Sequence, residues 1–376
     1  MSDKQKDKVE CQWYQNPDRQ WLEATWILLE QKAEANFFLS WLWMGTWLDS
    51  FVKQFHVIEA HIGRETVGLG IIVSEPCGFG LDRYRSKHYL HRTGVNCEDQ
   101  IWIEYNDFLI SSQRSKDIRA AMFSSVVDWM GKYDAFVVGA SRSDLFAASE
   151  IHGLYERKIW QATGYSVELN IFLGQPKSLL KSLSRSSRYQ ISRSLRKYEE
   201  IGPVTVETMV AKEAALQLLS LAGPYHKSRW GEGESGSGFV NDKFVYFHTQ
   251  LIDRAFFDGH IQLHHVKAGS ETIGIIYNFK YKNSVYFYLC ALNYAHTNIS
   301  PHYKPGLVSH YLLLEKAISE GVERYDFLGG DARYKSTFAN CIGSLAVYQY
   351  EHSHWLLFIE NYARDLKHKL LTYHKS

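Results

Sequence analysis

The sequence predicts an α/β fold of two tandem domains, each with a mixed, mostly antiparallel sheet flanked by helices. A hairpin pattern occurs twice, at residues 61–73 and 266–277, with a matched Glu-Thr turn followed by Val-Gly or Ile-Gly. Each hairpin is followed in the same order by a strong strand, a helix and a short buried strand, as in a duplicated fold. The length of 376 residues also favours two domains, which we place at residues 1–174 and 175–376.

Composition and charge are those of an ordinary globular protein. The net charge is +1, so the overall charge favours neither nucleic acid nor an acidic membrane as a partner. The five cysteines include no CxxC pair, which argues for a reducing compartment and against a disulfide framework. The polar start at residues 1–8 has no signal-peptide core. An aromatic run at residues 37–48 is too short to span a bilayer and indicates a buried helix, with an interfacial membrane patch as the alternative.

The elements of the first half follow from the spacing of apolar residues and from glycine or polar breaks. Residues 1–16 are expected to be an unstructured start, and residues 81–96 are expected to be irregular. We predict helices at residues 19–33, 37–51 and 117–131, and strands at residues 57–62, 67–73, 100–110 and 135–139.

The second half is expected to begin with a long basic helix. We predict helices at residues 178–200, 211–222, 240–258, 305–320 and 355–371, and strands at residues 204–209, 261–267, 272–281, 285–292, 323–328 and 344–350. Gly223-Pro224 is expected to end the second of these helices. Residues 225–238 would then be a loop with a glycine-rich tail, which we interpret as a mobile substrate lid.

The stretch from residue 285 to residue 335 carries the clearest functional signal. Pro305 suits the first position of a helix, and Gly306 follows it directly. The first backbone N–H groups of a helix have no partner within the helix and lie at the positive end of its dipole. The sequence therefore predicts an anion site here, suited to a pyrophosphate.

The order hairpin, strong strand, glycine-bearing loop, helix and strand resembles that of the GNAT acyltransferase fold. In its duplicated form it is similar to the double-GNAT group of cellulose-biosynthesis-associated acetyltransferases. It is more distantly similar to the Fem-type peptidoglycan aminoacyltransferases. The resembling segments are spread over most of the chain, at residues 37–47, 92–106, 185–202, 303–306 and 326–335.

The resemblance implies direct attack of an amine or hydroxyl on a thioester, with no covalent enzyme intermediate. It assigns the donor to two groups of residues: Ala291, Leu292 and Asn293, whose backbone N–H groups would hold the oxyanion, and Tyr303, Lys304, Pro305, Gly306 and Leu307, which would hold the phosphates. Most GNAT phosphate loops have several glycines, whereas this one has a single glycine. Acetyl-CoA, a longer acyl-CoA, and an acyl group on a carrier protein or tRNA therefore all stay open as donors. Residues 111–116 of the first half have no glycine at the equivalent place, so we expect that half to have lost donor binding.

A general base must take the proton of the attacking group. The candidates are His226, Glu234, Asp326 and Asp331, of which we select His226 and Asp331. His226 lies in the predicted substrate loop, although a lone histidine is more often structural. Asp331 follows two glycines and could instead cap the turn after it. Tyr334 and Lys335 coincide with a Tyr-Lys pair of the double-GNAT group, and the resemblance implies that this lysine balances charge on the thioester oxygen or leaving group.

Basic and aromatic side chains are the candidates for acceptor binding. Arg185 and Arg188 lie on the predicted basic helix, where they would contact a phosphate-bearing acceptor or an acidic carrier protein. A solvated helix face is the alternative. Tyr225, Arg229 and Trp230 lie in the predicted substrate loop. No metal is expected, because the histidines lack partners at ligand spacing.

The sequence thus predicts an N- or O-acyltransferase that uses acetyl-CoA, a longer acyl-CoA or an acyl carrier protein. Its acceptor would be a small or sugar-linked molecule of envelope polysaccharide metabolism, held in a cleft between the halves. A Fem-like transferase that uses charged tRNA and a non-catalytic double-GNAT scaffold are the alternatives. We expect no DNA partner and a cytoplasmic location, with peripheral attachment to the inner membrane as an alternative.

Overall fold

The computed structural model describes residues 8–76, 85–146, 153–174, 178–233 and 236–353. The strands in these ranges are β1 Val9–Gln15, β2 His56–Ile62, β3 Glu65–Pro76, β4 Ser86–Leu90, β5 Leu109–Ile110, β6 Ala135–Arg142, β7 Leu154–Glu168, β8 Val204–Thr208, β9 Ile261–Ala268, β10 Glu271–Tyr281, β11 Ser284–Leu292, β12 Arg324–Gly329 and β13 Cys341–His352. The helices are α1 Arg19–Glu30, α2 Trp41–Phe51, α3 Asn96–Asp99, α4 Ser115–Trp129, α5 Ser178–Ser182, α6 Arg185–Glu199, α7 Lys212–Trp230, α8 Asp242–Ala255, α9 Ala295–Ile299, α10 Pro305–Ser319 and α11 Arg333–Phe338. The helix predicted at residues 355–371 and the base candidate Glu234 lie outside the described residues.

The sheet confirms the predicted duplication. In the first half the strand order is β1-β2-β3-β4-β6, and in the second half it is the mirrored run β12-β11-β10-β9-β8. Each half has antiparallel pairs followed by one parallel pair, which is β4 with β6 and β11 with β12. In each half a helix, α4 or α10, lies between the two parallel strands in the chain. Parallel neighbours need such a crossover, which explains why the order of elements repeats.

Two long strands join the halves into one sheet. Strand β7 pairs with β12 of the second half, and β13 returns from the end of the described chain to pair with both β6 and β7. Our predicted elements include no strand at β7. Because a pairing partner at distant sequence positions leaves no local signal, this strand was not predicted. The domain boundary between residues 174 and 175 stays a prediction.

The strand predicted at residues 100–110 is wrong. Trp102 and Tyr105 have φ angles of 47° and 52°, a left-handed conformation that interrupts an extended chain. Only Leu109–Ile110 pairs with the sheet, against β3. The true counterpart of β11 is β4, in the region that we expected to be irregular. The segment at residues 96–108 is instead an inserted loop that packs against the second half, where Tyr288 donates a hydrogen bond to the Ile101 carbonyl at 2.6 Å.

The loop predicted at residues 225–238 is also wrong over its first part. Helix α7 continues through Gly223-Pro224 to Trp230 and ends before Gly231. Proline removes one helical hydrogen bond, but tertiary packing outweighs this loss, because Ala222, Gly223 and His226 are buried.

Two smaller predictions also differ from the structure. Residues 9–15, which we expected to be unstructured, form β1, and this strand is paired along its whole length with β2. The single helix predicted at residues 178–200 is two helices, α5 and α6, and Ser184 caps the second.

The aromatic run of the first half confirms the interpretation of a buried helix. Phe37, Phe38, Trp43 and Trp47 are all at most 1% exposed. The Phe37 ring stacks on Phe279 of β10, with 4.3 Å between the ring centroids. Such aromatic pairs add to the large apolar area that they bury. This contact therefore fixes the first half against the sheet of the second half.

Candidate active site

The two parallel strands of the second half separate at the site. Strand β11 pairs with β12 from Ser284 opposite Arg324 to Tyr286 opposite Asp326, and the register stops there. Beyond this point the strands continue to Leu292 and Gly329. The unpaired ends of the two strands, residues 287–292 of β11 and 327–329 of β12, border what we call the gap. The N-terminus of α10 lies next to the far end of β11.

The N-terminus of α10 has free hydrogen-bond donors. Pro305 is in the first turn, and no described side chain caps the helix. The first helical bond is donated by the Val308 N–H to the Lys304 carbonyl, so the N–H groups of Gly306 and Leu307 have no helical partner. A Cβ on Gly306 would lie 3.3 Å from Leu292 and 3.4 Å from Tyr334. Glycine therefore keeps open the narrow space between the helix and these two side chains.

Basic side chains surround this N-terminus. The Lys304 N–H donates to Ser194 Oγ at 2.9 Å, which holds α6 against the loop before α10. Desolvation, followed by the charges of Arg193, Lys304 and Lys197, lowers the pKa of His302. The positive charge of α6 thus adds to the helix dipole at the same place. Together they favour an anionic ligand.

The predicted oxyanion donors at the end of β11 are backbone N–H groups, and the pairing of β11 with β10 decides which of them are available. Ala291 and Leu292 pair with Ile275 and Gly274 of β10. The Asn293 N–H donates to the Ile273 carbonyl at 3.0 Å, and its side-chain amide donates to the Thr272 carbonyl. Because the Asn293 N–H already has a partner within the sheet, the structure does not support it as an oxyanion donor.

Of the predicted catalytic residues, His226 and Asp331 have hydrogen-bond partners of their own, and the charge of Asp331 acts on the neighbouring Lys335. His226 is buried on α7, where Nδ1 is 2.8 Å from Ser237 Oγ, and burial lowers its pKa to about 4. A base needs access to the acceptor, and this ring is enclosed by its own helix and by Phe239. Asp331 accepts a hydrogen bond from Tyr165 at 3.0 Å and lies near the surface.

Tyr334 and Lys335 do lie at the gap. The Tyr334 ring stacks on His310 with a centroid distance of 4.3 Å, and its hydroxyl is 4.0 Å from Cys290 Sγ of β11. Burial raises the pKa of Tyr334 well above its usual value, so this hydroxyl keeps its proton. Lys335 is 7% exposed and donates from Nζ to the Gly329 carbonyl at the end of β12.

The predicted acceptor residues fall into two groups. Arg188 donates to the carbonyls of Lys181 and Leu183, so it ties α6 to α5, while Arg185 is exposed at the start of α6. Tyr225 is partly buried on α7.

The second group lies nearer the gap. Arg229 lies over the rings of Trp230 and Tyr294, at 5.7 and 5.6 Å from their centroids. Its charge also lowers the pKa of the Cys290 thiol, which burial raises overall, so Arg229 is close to the Cys290 side of the gap.

Glu104 is a functional candidate that sequence reasoning missed. It lies on the inserted loop of the first half, and Oε2 accepts a hydrogen bond from the Gly329 N–H at 2.6 Å. Burial raises its pKa to about 7; the Gly329 hydrogen bond and Lys335 oppose this effect, and Asp326 adds to it. Burial lowers the pKa of Lys335, and Glu104 opposes that effect. Glu104 and Lys335 therefore bind the N–H and the carbonyl of the same residue, Gly329, at the end of β12.

A base whose pKa is near neutral is ready to accept a proton at physiological pH. The signal for Glu104 in the sequence is weak. It is an acidic residue within an apolar run, and such a residue in a strand is usually exposed. Only the left-handed turns on either side of it, at Trp102 and Tyr105, bring its carboxylate to the second half.

A second buried group of charges lies beside Glu104. The Tyr105 hydroxyl donates to Asp326 at 2.9 Å, and Arg324 bonds both Asp326 and Glu168. Burial raises the pKa of Asp326, although Arg324 opposes this effect. Through these bonds Asp326 holds the inserted loop against β12. We therefore interpret Asp326 as a positioning residue and not as the general base.

A cleft of about 990 Å³ lies next to this group. Its walls come from the first half, including Lys116, Arg119 and Arg142, and from the second half, including Tyr286, Arg324 and Asp326. Arg119 is paired with the buried Asp107 at 2.6 Å. Tyr105 lines the cleft and Glu104 precedes it, so this dipeptide lies between the cleft and the gap at β12.

Within the described ranges, no group of three or more His, Cys, Asp or Glu side chains is arranged to hold a metal ion. Among the helices described, none has both the length and the apolar character that crossing a bilayer requires.

Comparison with known proteins supports the prediction of a GNAT domain in the second half. Residues 185–336 match the family model of the acetyltransferase (GNAT) domain. No curated protein matches the chain significantly by sequence.

Several solved structures share the fold. FemX is 12% identical over 90% of this chain and 96% of its own, with a TM-score of 0.57. A conserved protein of unknown function from Bacteroides thetaiotaomicron is 10% identical over 88% of this chain and 97% of its own, with a TM-score of 0.51. The C-terminal domain of a putative lysylphosphatidylglycerol synthetase from Agrobacterium fabrum is 9% identical over 88% of this chain and 92% of its own, with a TM-score of 0.50.

Proposed function

We propose that this chain, which has the double-GNAT fold and carries a GNAT acetyltransferase domain at residues 185–336, transfers an acyl group from acyl-CoA to an acceptor held between its halves. The observation that carries the proposal is the uncapped N-terminus of α10, which lies among basic side chains beside the gap between β11 and β12. A pyrophosphate fits free N–H donors at a helix N-terminus. An acyl arm extending from it would enter the gap.

The residues at the gap suit direct transfer. The Glu104 carboxylate takes the proton from the attacking amine or hydroxyl while its nitrogen or oxygen forms a bond to the thioester carbon. The carbon–sulfur bond then breaks. The Tyr334 hydroxyl keeps its proton and donates a hydrogen bond to the leaving thiolate, and the proton taken by Glu104 passes through solvent to that thiolate. Lys335, held by the Gly329 carbonyl, stabilises the negative charge that develops. No group of the protein is acylated in this scheme.

The cleft beside Tyr105 is the proposed acceptor site. It brings together basic groups such as Lys116 and Arg142 and acidic groups such as Asp144 and Asp326. This balance suits a polar acceptor with an anionic group and a free amine or hydroxyl. A sugar-linked acceptor of envelope polysaccharide metabolism has this character, as have many small metabolites. We also propose that the protein acts in the cytoplasm.

An aminoacyl donor is the second candidate. FemX and the putative lysylphosphatidylglycerol synthetase domain share the fold, and the latter name indicates transfer of an amino acid. The basic surface of α6 would also suit a nucleic-acid donor. We rank this candidate second, because the net charge of the chain is only +1 and gives no general basic excess for nucleic acid.

Release of free CoA tests the proposed function. Purified protein is incubated with acetyl-CoA and a panel of amino sugars, sugar phosphates and amino acids, and the thiol released is measured over time. We expect at least one acceptor to raise thiol release well above the rate without acceptor, and mass spectrometry to show that acceptor gaining one acetyl group. Acceptor-independent release alone, or transfer only from aminoacyl-tRNA, would contradict the proposal.

A further inference from the structure

His310 is a buried polar side chain for which the fold offers no partner. It lies on α10 and is 0% exposed, and within the described residues neither ring nitrogen has a hydrogen bond. Burial, and then the charge of Lys335, lowers its pKa to about 3, so the ring is neutral. A neutral imidazole has one N–H donor and one acceptor nitrogen. Both are left unused here, although buried polar groups are nearly always paired.

The ring lies at the point where the two strands separate. Its neighbours are Phe287 and Phe327, with centroid distances of 4.6 and 5.3 Å. These two residues directly follow Tyr286 and Asp326, the last paired positions of β11 and β12. His310 is also one turn after Gly306 on the same face of α10.

Packing does not explain a histidine at this position. Its ring neighbours are Phe287, Phe327 and Tyr334, and a phenylalanine would fill the same space without an unpaired polar atom. A buried polar group without a partner destabilises the fold. The two unpaired ring nitrogens therefore point to a partner that arrives with a ligand.

We propose that His310 binds the pantetheine arm of the donor, with its neutral ring hydrogen-bonded to an amide of that arm. This inference rests on the proposed function, because it concerns the same donor site. A pantetheine arm has two amide groups, each with one donor and one acceptor, which match the two ring nitrogens. The arm is present in acyl-CoA and on acyl carrier proteins and is absent from aminoacyl-tRNA. Because Tyr334 covers the ring, entry of the arm requires Tyr334 to move from its stacked position.

The test separates the arm from the nucleotide end of the donor. Binding of acetyl-CoA and of 3′,5′-ADP, which has no arm, is measured by calorimetry on the wild type, His310→Phe and His310→Gln. We expect His310→Phe to weaken acetyl-CoA binding about 10-fold, the effect of one lost hydrogen bond, while 3′,5′-ADP binding is unchanged. We expect His310→Gln, which keeps a donor and an acceptor, to recover part of the loss.

Thermal unfolding of the same variants distinguishes a ligand contact from a structural role. We expect His310→Phe to melt at the same temperature as the wild type or higher, because it removes an unpaired polar group. Equal acetyl-CoA affinity in the wild type and His310→Phe would overturn the inference, and so would a lower melting temperature with parallel loss of both ligands. If the wild type binds neither acetyl-CoA nor 3′,5′-ADP, the proposed function itself fails. That result differs from a loss of binding that is seen only in the variants.

Discussion

Replacing Gly306 with glutamate is expected to weaken acyl-CoA binding at least 100-fold and to abolish acyl transfer. The new Cβ would lie 3.3 Å from Leu292 and 3.4 Å from Tyr334, so the longer side chain must turn towards the space in front of the helix. There it places a negative charge where the donor phosphates are expected. Calorimetric titration with acetyl-CoA measures the loss directly.

The Gly306→Glu variant should still fold. An acidic residue in the first turn of a helix is favoured by the helix dipole, so thermal unfolding should be close to that of the wild type. Gly343→Glu is the matched control, because Gly343 lies in β13 and a Cβ there would meet no atom within 4 Å. Unchanged acetyl-CoA affinity in the Gly306→Glu variant would show that the donor does not bind at α10.

Replacing Glu104 with glutamine is expected to lower kcat about 100- to 10,000-fold with little change in donor affinity. This is the usual range for loss of a general base. Glutamine keeps the hydrogen bond from the Gly329 N–H, so the loop position is retained. The wild-type rate should rise with pH through about 7, since only the ionised carboxylate accepts a proton, and this step should be absent in the variant.

Stability gives an independent measurement of the same group. The folded pKa of Glu104 is about 7, above its ordinary value of 4.5, so folding favours the protonated carboxyl. The unfolded state loses this proton first, and wild-type stability should therefore fall as pH rises from about 4.5 to 7. The difference of about 2.5 units corresponds to at most about 3 kcal/mol, and Glu104→Gln should be more stable than the wild type above pH 7 by up to this amount.

The control for this variant is Glu213→Gln, which neutralises an exposed acid of α7. It should change neither kcat nor the pH dependence of the rate. If Glu104→Gln retains the wild-type rate and its rise through pH 7, another group takes the proton. Chemical denaturation across pH 5–8 would then still report whether Glu104 is buried as a neutral acid.

The parts of the fold predicted from sequence are those whose signals are local. The two hairpins have turn residues at fixed offsets, and the Pro305-Gly306 pair begins a helix of apolar spacing. Their physical causes, which are backbone preference and apolar periodicity, lie within a few residues. The helix that begins at Pro305-Gly306 could therefore be predicted, whereas Tyr334 and Lys335 were selected from the resemblance and their roles stay predictions.

The parts that could not be predicted depend on contacts between distant residues. Glu104 is a candidate base only because its loop crosses to Gly329, 225 residues along the chain. Helix α7 continues past Pro224 because its buried face outweighs one lost hydrogen bond, and this placed His226 on a helix rather than in a substrate loop. His310 looked like one more helical residue, and only the side chains around it reveal that its nitrogens have no partner.

The most direct test of the account is the titration of purified wild-type protein with acetyl-CoA and with a longer acyl-CoA such as palmitoyl-CoA. The account predicts saturable binding in the micromolar range for at least one of them, with one site per chain, and its loss in Gly306→Glu. No binding of either thioester, or equal binding in the wild type and Gly306→Glu, would contradict the assignment of the donor site to the N-terminus of α10.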